Sequence, residues 1–258
     1  MDQVLIRELL RAVESGRPVV LATVVSTSRS VPRHAGSKML VFADSSTRGS
    51  IGGGEMEARV VEESLAALAD SRPRLLDYQL IDPTRGDPGV CGGEVRIYLE
   101  PHMPTPTMYV LGCGHVGRAV IDLAHWMGFR VVAFDDRPDQ ADAASLPHAD
   151  AVYSGSLSAA LAQDPPSEES HVVLVTRNVA LDLELLPLIL DSKARSVGVM
   201  GSARRWQTTR QALVERGVPE ALLGRVRSPI GVELKAETPE EIAVSILAEI
   251  VALRRGAL

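Results

Sequence analysis

Aromatic residues make up only 3% of this 258-residue chain, so the stacking platforms that hold single-stranded nucleic acid are not expected. Cationic excess is missing as well: 27 Lys and Arg against 33 Asp and Glu leave a formal net charge of −6. That balance gives no long-range pull toward nucleic acid or an anionic membrane, and neither is expected as a partner. Only two cysteines occur, Cys91 and Cys113, too few for a disulfide framework and a poor basis for a zinc set. The six histidines are scattered without metal-ligand spacing. Long apolar runs are absent too. The strongest, residues 19–25, is far too short to span a bilayer. The opening Met-Asp-Gln-Val-Leu-Ile-Arg-Glu-Leu-Leu lacks the basic flank and apolar core of a signal peptide, so a cytoplasmic protein is expected. What is left, 45% hydrophobic and 23% charged residues, is the composition of an ordinary globular chain. Its length suits one large domain or two modest ones.

The most informative feature present is Gly112-Cys113-Gly114-His115-Val116-Gly117. This G-x-G-x-x-G follows an apolar run at 109–111 that suits a buried parallel strand. A helical stretch over 115–127 comes next, with Val116, Val120, Leu123, Ala124 and Met127 on one face. Residues 130–134 supply a second strand, ending in Asp135 and Asp136. Such an acid can accept hydrogen bonds from a ribose. Gly112 permits the tight turn, Gly114 lets backbone approach a pyrophosphate, and Gly117 lets helix and strand pack closely. Strand, helix, second strand and acid together predict a Rossmann unit.

The segment Pro101-His102-Met103-Pro104-Thr105-Pro106-Thr107 has three prolines in seven residues and reads as a linker over 101–107. Residues 1–100 are then a small α+β domain, with helices at 3–14 and 55–69 and strands at 19–25, 38–42, 74–80 and 94–99. Residues 108–258 are a Rossmann-like nucleotide-binding domain with a parallel sheet, so the fold class is α/β. Further strands are predicted at 151–153, 171–175 and 196–200, with helices near 156–162, 181–190 and 203–216. Pro187 is expected to kink the second of these or mark its start. Thr238-Pro239-Glu240-Glu241 is a capping box with proline at the first helical position. It launches a helix through about Arg255, stopping near Gly256.

Four loops besides the fingerprint are candidates for chemistry. Residues 26–38 gather Arg29, Arg33 and Lys38 with four serines and a threonine, which suits an oxyanion or simply a polar hairpin. Gly52, Gly53 and Gly54 precede a helix and offer backbone amides to an anion. Cys91, beside Gly92 and Gly93, is a candidate thiol able to ligate a soft metal or carry sulfur, or a small buried hydrophobe. Thr176, Arg177 and Asn178 end a strand and face the fingerprint crevice. Arg204 or Arg205 can reach a phosphate from the next strand end or form a solvated basic face. His115, inside the phosphate turn, is placed to touch ligand.

These loops, in this order, resemble the XdhC/CoxI family of xanthine dehydrogenase and carbon monoxide dehydrogenase accessory proteins. The likeness runs through Val31-Pro32-Arg33, Gly36-Ser37-Lys38, Gly49-Ser50-Ile51-Gly52-Gly53, Cys91-Gly92-Gly93-Glu94 and the fingerprint. It continues with Asp135-Asp136-Arg137-Pro138, Ser228-Pro229-Ile230-Gly231 and the capping-box helix. The resemblance implies binding of molybdenum cofactor (molybdopterin, in a plain or cytosine dinucleotide form), with sulfuration and insertion into an apo molybdenum hydroxylase. A cysteine desulfurase is an implied partner. On this reading Arg33, Lys38 and the glycine amides hold phosphate oxygens, and Cys91 lies near the dithiolene or metal. The Rossmann half holds the nucleotide portion or a separate nucleotide such as NAD or CTP. Many members have a cysteine where this chain has Gly54, and Thr-His-Asp where it has Thr176-Arg177-Asn178; both departures point from catalysis toward binding.

A maturation chaperone is therefore the leading expectation, and a homodimer is expected from the apolar surfaces of two small domains. The alternative is an NAD(P)-dependent oxidoreductase, with Asp135 and Asp136 favouring NAD, though no Lys/Tyr or His/Asp pair emerges at the strand ends. A nucleotide-sensing module without turnover is a third reading.

Overall fold

The computed structural model describes residues 3–29, 31–79 and 93–257. The chain separates between Pro104 and Thr105 into two compact units. In the first, α1 (Gln3–Glu14), β1 (Val19–Ser28), β2 (Lys38–Phe42), β3 (Thr47–Gly49), α2 (Gly54–Asp70), β4 (Arg74–Gln79) and β5 (Glu94–His102) follow in order. Their strands form an antiparallel sheet in the order β3-β2-β1-β5-β4. Alternation decides which helix each strand residue meets. Val20, Ala22, Val41, Ile97 and Leu99 pack with Met56, Val60 and Leu68 of α2. Val19, Leu40 and Phe42 turn the other way, to Leu5 and Ala12 of α1. Strand β5 continues through Pro101 to His102, and the next strand begins at Thr107, so only 103–106 lie between them. β3, three residues of Thr-Arg-Gly, has no apolar pattern to announce it.

The second unit holds β6 (Thr107–Leu111), α3 (His115–Trp126), β7 (Arg130–Asp135), β8 (Ala151–Ser154), α4 (Leu157–Gln163), β9 (Ser170–Leu174) and α5 (Val179–Leu190). Then come β10 (Ser196–Val199), α6 (Ala203–Glu215), α7 (Glu220–Leu223), β11 (Val226–Arg227) and α8 (Pro239–Arg255). All pairings are parallel, in the order β11-β10-β9-β6-β7-β8, which is the doubly wound order of a Rossmann fold. Met108 and Val110 of β6 enter the core under α3 and α8, while Tyr109 and Leu111 enter the one under α5 and α6. The inner strands β6 and β9 are buried along their whole length, as their unbroken apolar runs require, while the edge strands β8 and β11 are only half-buried.

Pro187 does not mark the start of a helix: α5 begins at Val179 and runs through it to Leu190. A proline frees the carbonyl four residues earlier, and here the Arg216 guanidinium donates to that Leu183 carbonyl at 3.3 Å. The capping box at Thr238 forms as predicted, with Glu241 reciprocating. Among the described residues, no helix is long and apolar enough to cross a membrane.

Candidate functional site in the Rossmann unit

After β6 the chain winds toward β7, and after β8 it returns to β9 on the other side of β6. Two loops therefore diverge at the carboxyl ends of neighbouring strands and leave a crevice, the usual ligand position in such sheets. A cleft of about 210 Å³ sits there, lined by Gly112, Gly114, His115, Gly117, Asp135, Asp136, Arg137, Thr176 and Arg177 among others.

The three glycines differ in what surrounds them. A Cβ on Gly112 (φ +112°) would stand 2.7 Å from the Val175 carbonyl oxygen, and one on Gly117 would stand 1.8 Å from that of Gly112. These two are demanded by packing. Around Gly114 a Cβ would meet nothing within 4 Å; that side belongs to the crevice. Gly114 is also the N-cap of α3, and no side chain caps the helix there. The contrast within the unit is sharp, since Ser156, Asn178, Ser202 and Thr238 cap α4, α5, α6 and α8. The first amides of α3 thus face a cleft in which an anion would complete them.

The acids at the end of β7 have separate jobs. The Asp135 side chain, 2% exposed, accepts from the Cys113 amide at 2.8 Å, the Arg137 amide at 3.0 Å and the Arg137 guanidinium at 2.9 and 3.1 Å. Burial pushes its pKa up, but Arg137 and the two amides outweigh that and hold it below the ordinary carboxylate value. Asp135, expected to meet a ribose, is spent on bracing the turn. Asp136 is the more open carboxylate, held by Arg177 through two bonds of 2.7 Å. Cys113 is fully buried, and burial, then the Asp135 charge, push its thiol up to about 12; it is a core residue, not a reactive one.

Thr176 and Asn178 support the crevice from behind. The Thr176 hydroxyl donates to buried Asp182. Arg205 donates to Asp182 at 2.7 and 2.9 Å, to the Thr176 carbonyl at 3.1 Å and to its hydroxyl at 2.7 Å. Arg205 is turned inward, neither a solvated face nor a phosphate ligand, while Arg204 is exposed. Asn178 caps α5 by accepting from the Leu181 amide at 3.0 Å.

In the first unit the glycine turn before α2 is already filled. One oxygen of Glu57, Oε1, accepts from the Ser50 hydroxyl (2.7 Å) and the amides of Ile51 (2.9 Å), Gly52 (3.2 Å) and Gly53 (2.9 Å). The amides offered by Gly52 and Gly53 go to the chain's own carboxylate, and Gly54 opens the helix. Sequence reasoning missed Glu57, although a glutamate four residues past Gly53 is placed to reach back over a helix start. Lys38 donates to the Thr23 hydroxyl at 2.9 Å. It shares a polar cleft of about 700 Å³ with exposed Arg33 and His34 and half-buried Ser50. Gly93 is buried just before β5, and Cys91 and Gly92 lie outside the described residues. Among the described residues, no group of three or more His, Cys, Asp or Glu is placed to hold a metal ion.

Both units match one family. Residues 12–79 correspond to the XdhC and CoxI family and residues 108–250 to the XdhC Rossmann domain. The chain belongs to the XdhC and CoxI family. It is 32% identical to the Escherichia coli K12 protein YqeB over 97% of its own length, and spans about half of that relative, 46%. It is 24% identical to the molybdenum cofactor insertion chaperone PaoD of the same organism, over 97% of this chain and 88% of PaoD. Among solved structures, a xanthine dehydrogenase from Bacillus halodurans shares the fold. It is 22% identical, with a TM-score of 0.51, over 97% of this chain and 96% of that one.

Proposed function

We propose that this family member is a cytoplasmic accessory protein that binds molybdenum cofactor and supports its sulfuration and insertion into an apo molybdenum hydroxylase. The observation that carries the reading is the start of α3: a glycine N-cap with no side-chain partner, opening on a cleft at the switch point. Phosphate is the ligand group that such a helix start fits best, and the cofactor carries one in either its plain or its cytosine dinucleotide form. At about 210 Å³ the cleft is smaller than the ~300–1,000 Å³ usual for a whole drug-sized ligand. It suits the phosphate end of the cofactor, with Asp136 and Arg177 at its mouth to receive hydroxyls or a second anionic group. PaoD, named as an insertion chaperone for this cofactor, supports the same assignment. Arg33 and Lys38 line a separate polar cleft in the first unit and are cations suited to an oxyanion there.

The test is anaerobic equilibrium titration of the purified chain with molybdopterin cofactor, NAD, NADP and CTP, followed by activation of an apo-hydroxylase. Binding of the cofactor near molar equivalence, together with activation, is expected. Tight binding of NAD or NADP alone would return the oxidoreductase reading, and no binding of any would leave the module without a ligand role. Sulfuration calls for a cysteine desulfurase as partner and places Cys91 as the sulfur-handling thiol. Cys91→Ser is then expected to retain cofactor binding and lose delivery of sulfurated cofactor. Unchanged maturation would remove that role.

A further inference from the structure

On one face of the parallel sheet of the second unit, α3 and α8 pack together and leave a groove of about 560 Å³ between them. Its lining includes Ala119 and Ala243, whose small side chains leave space, and its apolar walls include Leu123 and Val244. At the end of α3 stands Trp126, 81% exposed, more than any other large hydrophobic side chain among the described residues. An indole exposed to water beside an apolar groove forfeits burial energy. A knob and a hole on one face are also what a two-fold contact needs, because each copy supplies what the other lacks.

We infer that this face pairs two copies of the chain, α3 antiparallel to α3, with Trp126 of each copy seated in the groove of the other. Charge supports a second copy as the occupant. Along α3, Arg118 and Asp122 lie one turn apart on the groove, and antiparallel pairing sets Arg118 of one copy beside Asp122 of the other, twice over by symmetry. Both groups have partners in their own unit, but Asp122, 2.9 Å from His148, keeps 60% of its side chain exposed. Arg118 reaches the Cys113 carbonyl at 3.2 Å and Ser145 only at 3.4 and 3.5 Å, and Asp122 meets an exposed His148. The same pairing brings Trp126 toward His115, which lines both the groove and the phosphate-turn crevice. The dimer would thus wall one side of each crevice. This inference does not depend on the identity of the crevice ligand.

The test is the mass of the full chain by light scattering and sedimentation over a concentration series, beside Trp126→Glu and Val244→Glu. Both substitutions are at exposed positions on different helices. The wild type is expected at about 55 kDa, twice the 27.7 kDa chain. Trp126→Glu is expected to weaken association at least ~30-fold, as for a buried hot-spot tryptophan, with Val244→Glu acting in the same direction. In a Trp206→Phe background, Trp126 is the sole indole, and its emission should shift to the blue as concentration rises. A wild type that stays monomeric overturns the inference, as does a dimer that survives both substitutions. An indole emission that ignores association overturns it too.

Discussion

Two glycine-rich turns open two helices in this protein, and their backbone amides meet opposite fates. Before α2, Glu57 collects the Ser50 hydroxyl and three successive amides on one oxygen. Before α3, Asp135 takes a single amide of the glycine turn, that of Cys113, and no side chain reaches the helix start at Gly114. The position of the nearest carboxylate makes the difference. Glu57 sits on the helix that its turn opens, so it folds back over the amides. Asp135 sits on the neighbouring strand, so it braces the turn from one side and leaves the helix start open. Glycine content alone does not mark a ligand turn; what matters is whether the chain supplies its own anion.

The largest effect that can break this comparison is steric. Gly117→Ala forces a Cβ against the Gly112 carbonyl oxygen, which is backbone and cannot step aside. The expected loss in urea unfolding is more than about 4 kcal/mol, enough to lose the second unit's transition. Gly53→Ala meets nothing within 4 Å and is strained only by its backbone, φ +82° and ψ −176°, at about 1–3 kcal/mol. Equal costs at both positions would mean that the turns are built alike.

Removing the internal anion comes next. Glu57→Ala leaves the Ile51 and Gly53 amides and the Ser50 hydroxyl without this acceptor, and the Gly52 amide with only the Ser50 oxygen at 3.3 Å; an unfolding loss of about 2 kcal/mol is expected. Burial raises the Glu57 pKa, but the Ser50 hydroxyl and the amides of residues 51–53 outweigh it and hold it below the ordinary 4.5. A carboxylate depressed in the folded state stabilises above its unfolded pKa, and that contribution drains away as pH falls through the folded value. Wild type should therefore lose stability below about pH 4.5, and Glu57→Gln should lose less over the same range. A variant with the wild-type acid profile would remove Glu57 as the filler of the turn.

A substitution that spares the fold separates the turns further. Gly114 has an ordinary negative φ and free space around its Cβ position, so Gly114→Ala should change stability by less than about 0.5 kcal/mol. Its methyl group would stand where the crevice ligand approaches the first amides of α3. Cofactor affinity is expected to fall about tenfold, equivalent to roughly 1.4 kcal/mol. Full affinity in a stable Gly114→Ala protein would move the ligand elsewhere.

Much of this was legible in the residues, and the exceptions have physical reasons. Gly112 and Gly117 act through local sterics, so a spacing rule finds them, and the apolar runs of β6 and β9 announce strands buried on both sides. The roles of Asp135 and Asp136 were harder to assign, because adjacent strand residues point to opposite faces and either can serve a ribose. One clue was available: Arg137 lies two residues past Asp135, on the same face, and takes that carboxylate. The clamp of Thr176, Asp182 and Arg205 had no such signal. Its members join from two helices and a strand end, and only the packed sheet brings them together. β3, α7 and β11, at two to four residues each, are too short to show a period.

The smallest test concerns the mouth of the open turn. Arg177 and Asp136 form a bidentate pair, but both side chains are substantially exposed, and such pairs contribute about 0–1 kcal/mol. Arg177→Ala should therefore leave unfolding within about 0.5 kcal/mol of wild type. Binding should respond where stability does not. With the guanidinium gone, a phosphate-bearing ligand loses a cation at the mouth while keeping the amides of α3. A drop of about threefold is expected, roughly 0.6 kcal/mol, with a weaker dependence of affinity on salt. Unchanged affinity and unchanged salt dependence would restrict recognition to the backbone of the turn. The open helix start would then carry all of the binding, and the comparison with the Glu57-filled turn would rest on amides alone.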